Sequence, residues 1–248
     1  MGVQWVILAI VTIVGLVTTY LNTAIDRVFV ILLLILWAKV SIQDAIVINA
    51  IVMFLSALLF FRGSREKIFS IPKSVVWSVL LLSFIGGGVG RWIGLQLSDQ
   101  VLWIILGIYA ILVGVRLWLL TPKLADEGEY HTSVNWVLSP FSLLTGVLSA
   151  GGKPLMIPLL AKLFKLSMGQ SYLLASLGTM GAISGFLTGQ VLFDSILRAN
   201  IINWSVILFV GITLISFMVE PLWNKRGQQW TANVVGPLLI LVGLKLLA

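Results

Sequence analysis

Apolar residues in this chain run in long, nearly unbroken blocks, and the polar residues collect in the short gaps between them. That pattern belongs to membrane-spanning helices, because a helical crossing needs about 20 consecutive apolar residues. Blocks that meet or approach this length lie at 3–21, 44–61, 74–92, 100–120, 135–150, 168–191, 200–220 and 229–248. Two further blocks, 28–38 and 154–164, are equally apolar but only about half a bilayer long at about 1.5 Å of rise per residue. They predict half-helices or re-entrant segments. Each follows a polar, small-residue interruption: Leu21-Asn22-Thr23-Ala24-Ile25-Asp26-Arg27 before the first, Ser149-Ala150-Gly151-Gly152-Lys153-Pro154 before the second.

The substantial polar stretch TPKLADEGEYHTS, 121–133, divides the chain almost in half. An offset of 126 places Thr23 on Ser149, Ala24 on Ala150, Arg27 on Lys153, Lys39 on Lys165 and Ser41 on Ser167 without a gap. The ends of the halves match as well, Leu112-Val113-Gly114-Val115-Arg116-Leu117 against Leu241-Val242-Gly243-Leu244-Lys245-Leu246, at an offset of 129. Matches of leucine on leucine are cheap in such a chain; the matched charges and breaks carry the argument. The expected organisation is a first transmembrane repeat at 1–120, a cytoplasmic linker at 121–134 and a second repeat at 135–248. The expected fold is all-α and polytopic, with each repeat a re-entrant or broken helical hairpin plus three transmembrane helices. An odd number of crossings inverts the second repeat relative to the first.

Composition sharpens this picture. Of 248 residues 59% are hydrophobic and 10% charged, and the mean hydropathy is +1.09, far beyond what a water-exposed surface tolerates. The apolar run at the start lacks a basic leader and a small-residue cleavage site, so it reads as a retained span rather than a signal peptide. The net charge of +7 belongs in cytoplasmic loops and carries no implication of nucleic acid. Arg62, Arg65, Lys67 and Lys73 place the loop at 62–67 inside, as do Arg116 and Lys123 the linker, and Lys225 and Arg226 the last loop. The same accounting puts Lys39 outside. The absence of cysteine and the single histidine, His131, exclude disulfides, thiolate or haem centres and Cys-nucleophile chemistry, so no cofactor is expected.

Candidate chemistry sits at the two interruptions. Arg27, Asp26 and Lys153 are ionisable groups inside apolar sequence, each costing roughly 2.5 to 3.5 kcal/mol at a helix centre, so each needs a compensating partner. Lys153 stands where Gly151 and Gly152 let the backbone approach a ligand and Pro154 suits the start of a helix. The N-terminus of helix 154–164 then offers unpaired N–H groups and a positive dipole end beside a cation, an anion site with Ser149 as hydroxyl donor. In the first repeat Arg27 opens helix 28–38 likewise, with Asn22 and Thr23 as polar partners. An inverted duplication brings both breaks to the midplane, so that Arg27 and Lys153 face one small oxyanion. Asp26 is read either as a gating or coupling group or as a structural partner of Lys153.

In the following span, Ser176 and Thr179 are the expected substrate liners, whereas the glycines of that span and of Gly86-Gly87-Gly88-Val89-Gly90 are expected to pack helices or hinge them. Asn49 is expected to face the bundle interior. Arg91, Arg116 and Lys245 read as snorkelling anchors near span ends, the tryptophans as an interfacial belt, and Gln43, Asp44 and Gln170 as helix caps.

The run Gly146-Val147-Leu148-Ser149-Ala150-Gly151-Gly152-Lys153-Pro154-Leu155-Met156-Ile157-Pro158-Leu159-Leu160 resembles the glycine-rich signature of the TauE/SafE family of sulfite exporters and sulfonate permeases. The likeness extends to Ser176–Gly185, to chain length and to the two-repeat plan. It implies a carrier for sulfite, organosulfonates or related organic anions. Ile25-Asp26-Arg27 replaces the glycines that the family pattern implies for the first repeat.

The leading reading is therefore a secondary transporter of a small anion, held in a prokaryotic plasma membrane and coupled to a proton or sodium gradient. An anion channel and a carrier of a small carboxylate are the alternatives. Its partners are the substrate, the lipid bilayer and, for an assembly, further copies in a homo-oligomer. An enzyme is not expected, because neither paired carboxylates, a Ser-His pair nor an HExxH motif falls inside the apolar blocks.

Overall fold

The computed structural model describes residues 28–119, 128–194, 199–219 and 225–247, together with 5, 8, 9 and 11–13. Its helices are α1 Val28–Leu36, α2 Ile42–Gly63, α3 Arg65–Phe69, α4 Lys73–Gln96, α5 Asp99–Leu119, α6 Asn135–Leu148, α7 Lys153–Leu163, α8 Met168–Asp194, α9 Ala199–Val219 and α10 Lys225–Leu247, with a 3₁₀ turn at Thr132–Val134 before α6. No strand occurs among the described residues. Among these residues α2, α4, α5 and α8 are long and apolar enough to cross a membrane. The half-length block 154–164 is a half-length helix, α7, and the block 28–38 is helical over Val28–Leu36, α1.

Sequence dictates the elbows that join each short helix to the next long one. After α1 the chain turns through Lys39 in the left-handed region (φ 56°), and Ser41 Oγ then accepts the Asp44 N–H at 3.2 Å as the N-cap of α2. After α7 it turns through Lys165 (φ 51°), and Ser167 Oγ accepts the Gln170 N–H at 3.2 Å while Gln170 Oε1 accepts the Ser167 N–H at 3.0 Å, a complete capping box for α8. Lys39 and Lys165, Ser41 and Ser167, and Asp44 and Gln170 are the residues that the offset of 126 pairs.

The chain forms two compact units, which take helices from both halves of the sequence. The first comprises 1–52, 97–121 and 198–248. Within it α5 and α10 cross antiparallel at glycines: a Cβ on Gly107 would meet the Gly243 carbonyl at 3.0 Å, and one on Gly236 the Gly114 carbonyl, also at 3.0 Å. The offset of 129 carries Gly107 onto Gly236 and Gly114 onto Gly243, so each contact maps onto the other. In the same unit Ser205 Oγ donates to the Ile201 carbonyl at 2.7 Å and reaches the Ile48 carbonyl of α2 at 3.5 Å. Asn49 is fully buried, on the interior side as expected.

The second unit comprises 53–96 and 122–197. Here α4 runs parallel to α6 and to α8. Gly87 lies against the Ala182 backbone, Gly185 against the Phe84 carbonyl, and Gly90 against Leu143 and Gly146, at separations that leave no room for a Cβ. The Gly86–Gly90 run is thus a packing surface. Outward faces carry Phe84, Ile85, Trp77 and Trp92, whose exposure in water would be prohibitive and in lipid is free of cost. Three hydroxyls inside the helices are satisfied by the preceding turn: Ser142 donates to the Leu138 carbonyl, Thr179 to that of Ala175 and Ser184 to that of Met180.

Candidate functional site

The break between α6 and α7 lies wholly in the second unit. α6 ends at Ser149, fully buried and left-handed (φ 52°), with its N–H returning to the Thr145 carbonyl at 2.7 Å. Two residues later Gly152 is left-handed again (φ 65°) and a Cβ there would meet Phe141 Cδ1 at 2.9 Å, so glycine is required both by conformation and by space. Lys153 and Pro154 then open α7, proline taking a first-turn position where its missing N–H costs nothing.

Side chains hold the carbonyls of this turn in place. Thr145 Oγ1 donates to the Ala150 carbonyl at 3.0 Å, and Thr179 Oγ1, from α8, donates to the Gly151 carbonyl at 3.2 Å. The Gly152 carbonyl accepts the N–H groups of Leu155 at 3.0 Å and Met156 at 2.8 Å. In a trans peptide the C=O and the following N–H point in opposite directions. Tying three successive carbonyls therefore fixes the N–H groups of Gly151, Gly152 and Lys153, each directed away from the carbonyl of its own peptide. Among the described residues no hydrogen bond takes the N–H of Gly151 or Gly152.

Polar side chains complete the surroundings. Ser176, one turn before Thr179 on the same flank of α8, is 3% exposed and its hydroxyl has no partner among the described residues. The ammonium of Lys153 lies 5.5 Å from the ring centroid of Tyr172 on α8 and 6.0 Å from that of Phe60 on α2. Those two rings meet edge to face, 5.5 Å between centroids and 83° between planes. A cation, N–H groups without a hydrogen-bond partner among the described residues and an unengaged buried hydroxyl are the kinds of donor that an oxyanion recruits.

Of the residues expected at the site, the structure brings Ser149, Gly151, Gly152, Lys153, Ser176 and Thr179 to one turn and its flanking helix. Asn22, Thr23, Asp26 and Arg27 lie outside the described residues. The glycines of α8 face α4, whereas Thr179 faces the break, so packing and lining fall on different faces of one helix. Sequence reasoning missed Thr145, Phe60 and Tyr172. Thr145 carried a signal in principle, as a hydroxyl one turn before a helix break; aromatic residues in a membrane chain carry none.

Arg91 requires a correction. Its placement near a span end reads as a snorkelling anchor, yet it is 1% exposed. The helix continues to Gln96, which puts Arg91 more than a turn inside, on the face packed against α8. There Nε donates to Gln190 Oε1 at 2.6 Å, the guanidinium lies 4.8 Å from the Phe186 ring centroid, and Gln190 Nε2 donates to Asp194 Oδ2 at 2.7 Å.

The family model described as Sulfite exporter TauE/SafE matches residues 7–246 of this chain. No curated protein and no solved structure matches it.

Proposed function

The chain belongs to the TauE/SafE sulfite exporter family, a family of membrane transporters, and from this premise we propose that it is a secondary transporter of sulfite, an organosulfonate or a related sulfur oxyanion. The observation that supports the reading is the α6–α7 turn, in which Thr145 and Thr179 hold the Ala150 and Gly151 carbonyls and the N–H groups of Gly151 and Gly152 have no hydrogen-bond partner among the described residues. A tetrahedral or pyramidal oxyanion accepts several such donors at once, and the positive end of α7 with Lys153 supplies the charge. Ser176 contributes a hydroxyl, and Thr179 acts mainly by positioning the Gly151 peptide.

By sequence correspondence Arg27, with Asn22 and Thr23, takes the role of Lys153 in the first half, and Asp26 is the coupling or gating group. The paired elbows at Lys39 and Lys165 and the reciprocal glycines of α5 and α10 support descent of both halves from one sequence. The setting is a cell membrane, with the driving force a proton or sodium gradient.

Thermal stability of the purified chain with sulfite, sulfate, thiosulfate, sulfoacetate and small carboxylates tests the proposal, since a ligand of the folded state raises the apparent melting temperature by mass action. Stabilisation by sulfite or a sulfonate that disappears in Lys153→Gln is expected. Stabilisation by carboxylates alone would reassign the substrate, and sulfite stabilisation unchanged in Lys153→Gln would move the site elsewhere.

A further inference from the structure

We propose that Phe60 and Tyr172 are positioning residues of the anion site, an aromatic cradle that holds the Lys153 ammonium where an oxyanion can bridge it to the α6–α7 turn; this rests on the reading above. A lysine side chain has four rotatable carbons, and at the first position of α7 its backbone fixes only the root. The head is located by two rings from two other helices, at 5.5 Å and 6.0 Å, themselves locked edge to face. That arrangement is favoured by the quadrupoles of both rings, whose negative faces attract a cation and whose mutual edge-to-face contact resists sliding.

The cradle also determines the side from which the ammonium acts. Tyr172 precedes Thr179 by seven residues, about 10 Å of helix rise, and Thr179 marks the level of the Gly151 peptide. An ammonium beside Tyr172 therefore lies nearer the start of α8 than the Gly151 carbonyl that Thr179 holds. Ser176, between Tyr172 and Thr179 in the helix, falls in the interval. Face-on rings repel anionic oxygen, so they also close the far side of the ammonium and direct the ligand to its near side.

A double-mutant cycle on the full-length protein, with sodium sulfite as probe and calorimetric affinities measured up to concentrations that keep weakened binding visible, tests the cradle. Phe60→Leu and Tyr172→Leu should each weaken sulfite about threefold to tenfold, whereas Tyr172→Phe, which keeps the ring, should retain affinity. Lys153→Gln should weaken it about tenfold or more, and adding Phe60→Leu to Lys153→Gln should cost nothing further. If Phe60→Leu fails to fold, the Tyr172 pair carries the same cycle. Losses that multiply in the double variant, no loss in either leucine variant, or tighter binding would each overturn the cradle while leaving the anion site intact. No loss in Lys153→Gln would instead overturn the site itself.

Discussion

Gln170 grips Gly128 by both of its backbone polar groups: the Gly128 N–H donates to Oε1 at 3.1 Å, and Nε2 donates to the Gly128 carbonyl at 2.8 Å. The same Oε1 closes the capping box of α8, so one side chain binds the linker between the halves to the elbow that follows α7. Its counterpart in the first half, Asp44, carries a carboxylate with no N–H to donate, so its side chain cannot make both bonds of this clasp. Gln170→Ala should lower stability by about 1 to 3 kcal/mol, the worth of two or three hydrogen bonds, and expose the linker to protease. Gly128→Ala, whose Cβ would fall on the Lys165 carbonyl, should expose the linker equally without touching the cap. Melting curves and limited proteolysis read both effects; unchanged cleavage in both variants would show that the clasp does not hold the linker.

Thr179 separates a positioning role from a packing role. Thr179→Val keeps the shape and removes the hydroxyl that holds the Gly151 carbonyl, so the peptide is free to rotate. The expected outcome is a stability loss of about 1 kcal/mol with a disproportionate loss of sulfite binding. Thr179→Ser, which keeps the donor, should bind. Equal binding in the valine and serine variants would remove Thr179 from the site.

The buried Arg91 should be structural rather than substrate-linked. Gln190→Leu takes the Oε1 acceptor from a guanidinium that has no water to replace it, at a cost of about 1.5 to 3 kcal/mol for a charged hydrogen bond. Arg91→Met combined with Gln190→Leu should recover part of that loss, because apolar replacement of both members of a buried polar pair removes the desolvation penalty as well. Melting temperatures of the single and double variants decide this, and a double variant less stable than Gln190→Leu would contradict it.

Orientation is open to direct labelling, since the natural chain contains no cysteine. Single cysteines at Ser64 and at Glu129 should react from the cytoplasmic side, and one at Ala248 from the outside, with a membrane-impermeant maleimide. Reaction of Ser64→Cys and Ala248→Cys from the same side would refute the inverted arrangement of the halves.

Legibility of the fold followed from length. A bilayer imposes a minimum run of apolar residues, so the described helices from α2 onward fall within a few positions of the blocks read from the sequence, and α7 is short as its block is short. The elbow at Ser41 and its partner at Ser167 were likewise readable, because rare charges and hydroxyls align there without a gap. What hydropathy does not encode is the direction in which a residue faces around a helix. Arg91 illustrates this, being close to a block end in sequence yet turned inward onto α8. Phe60 and Tyr172 illustrate it again, since a ring that faces lipid and a ring that holds a lysine have the same hydropathy. Thr145 and Thr179 were visible as polar residues, but only the backbone geometry shows that their hydroxyls act on carbonyl oxygens.

The reciprocal glycines of α5 and α10 bear on how such a chain evolves. A half-length protein pairing with its own copy about a two-fold axis would make this crossing with the one pair of glycines used twice, and any side chain added at either position would spoil two contacts together. In this single chain Gly107, Gly114, Gly236 and Gly243 are separate positions. A change at one damages a single contact and leaves its counterpart intact, so the two ends of the seam are exposed to mutation separately.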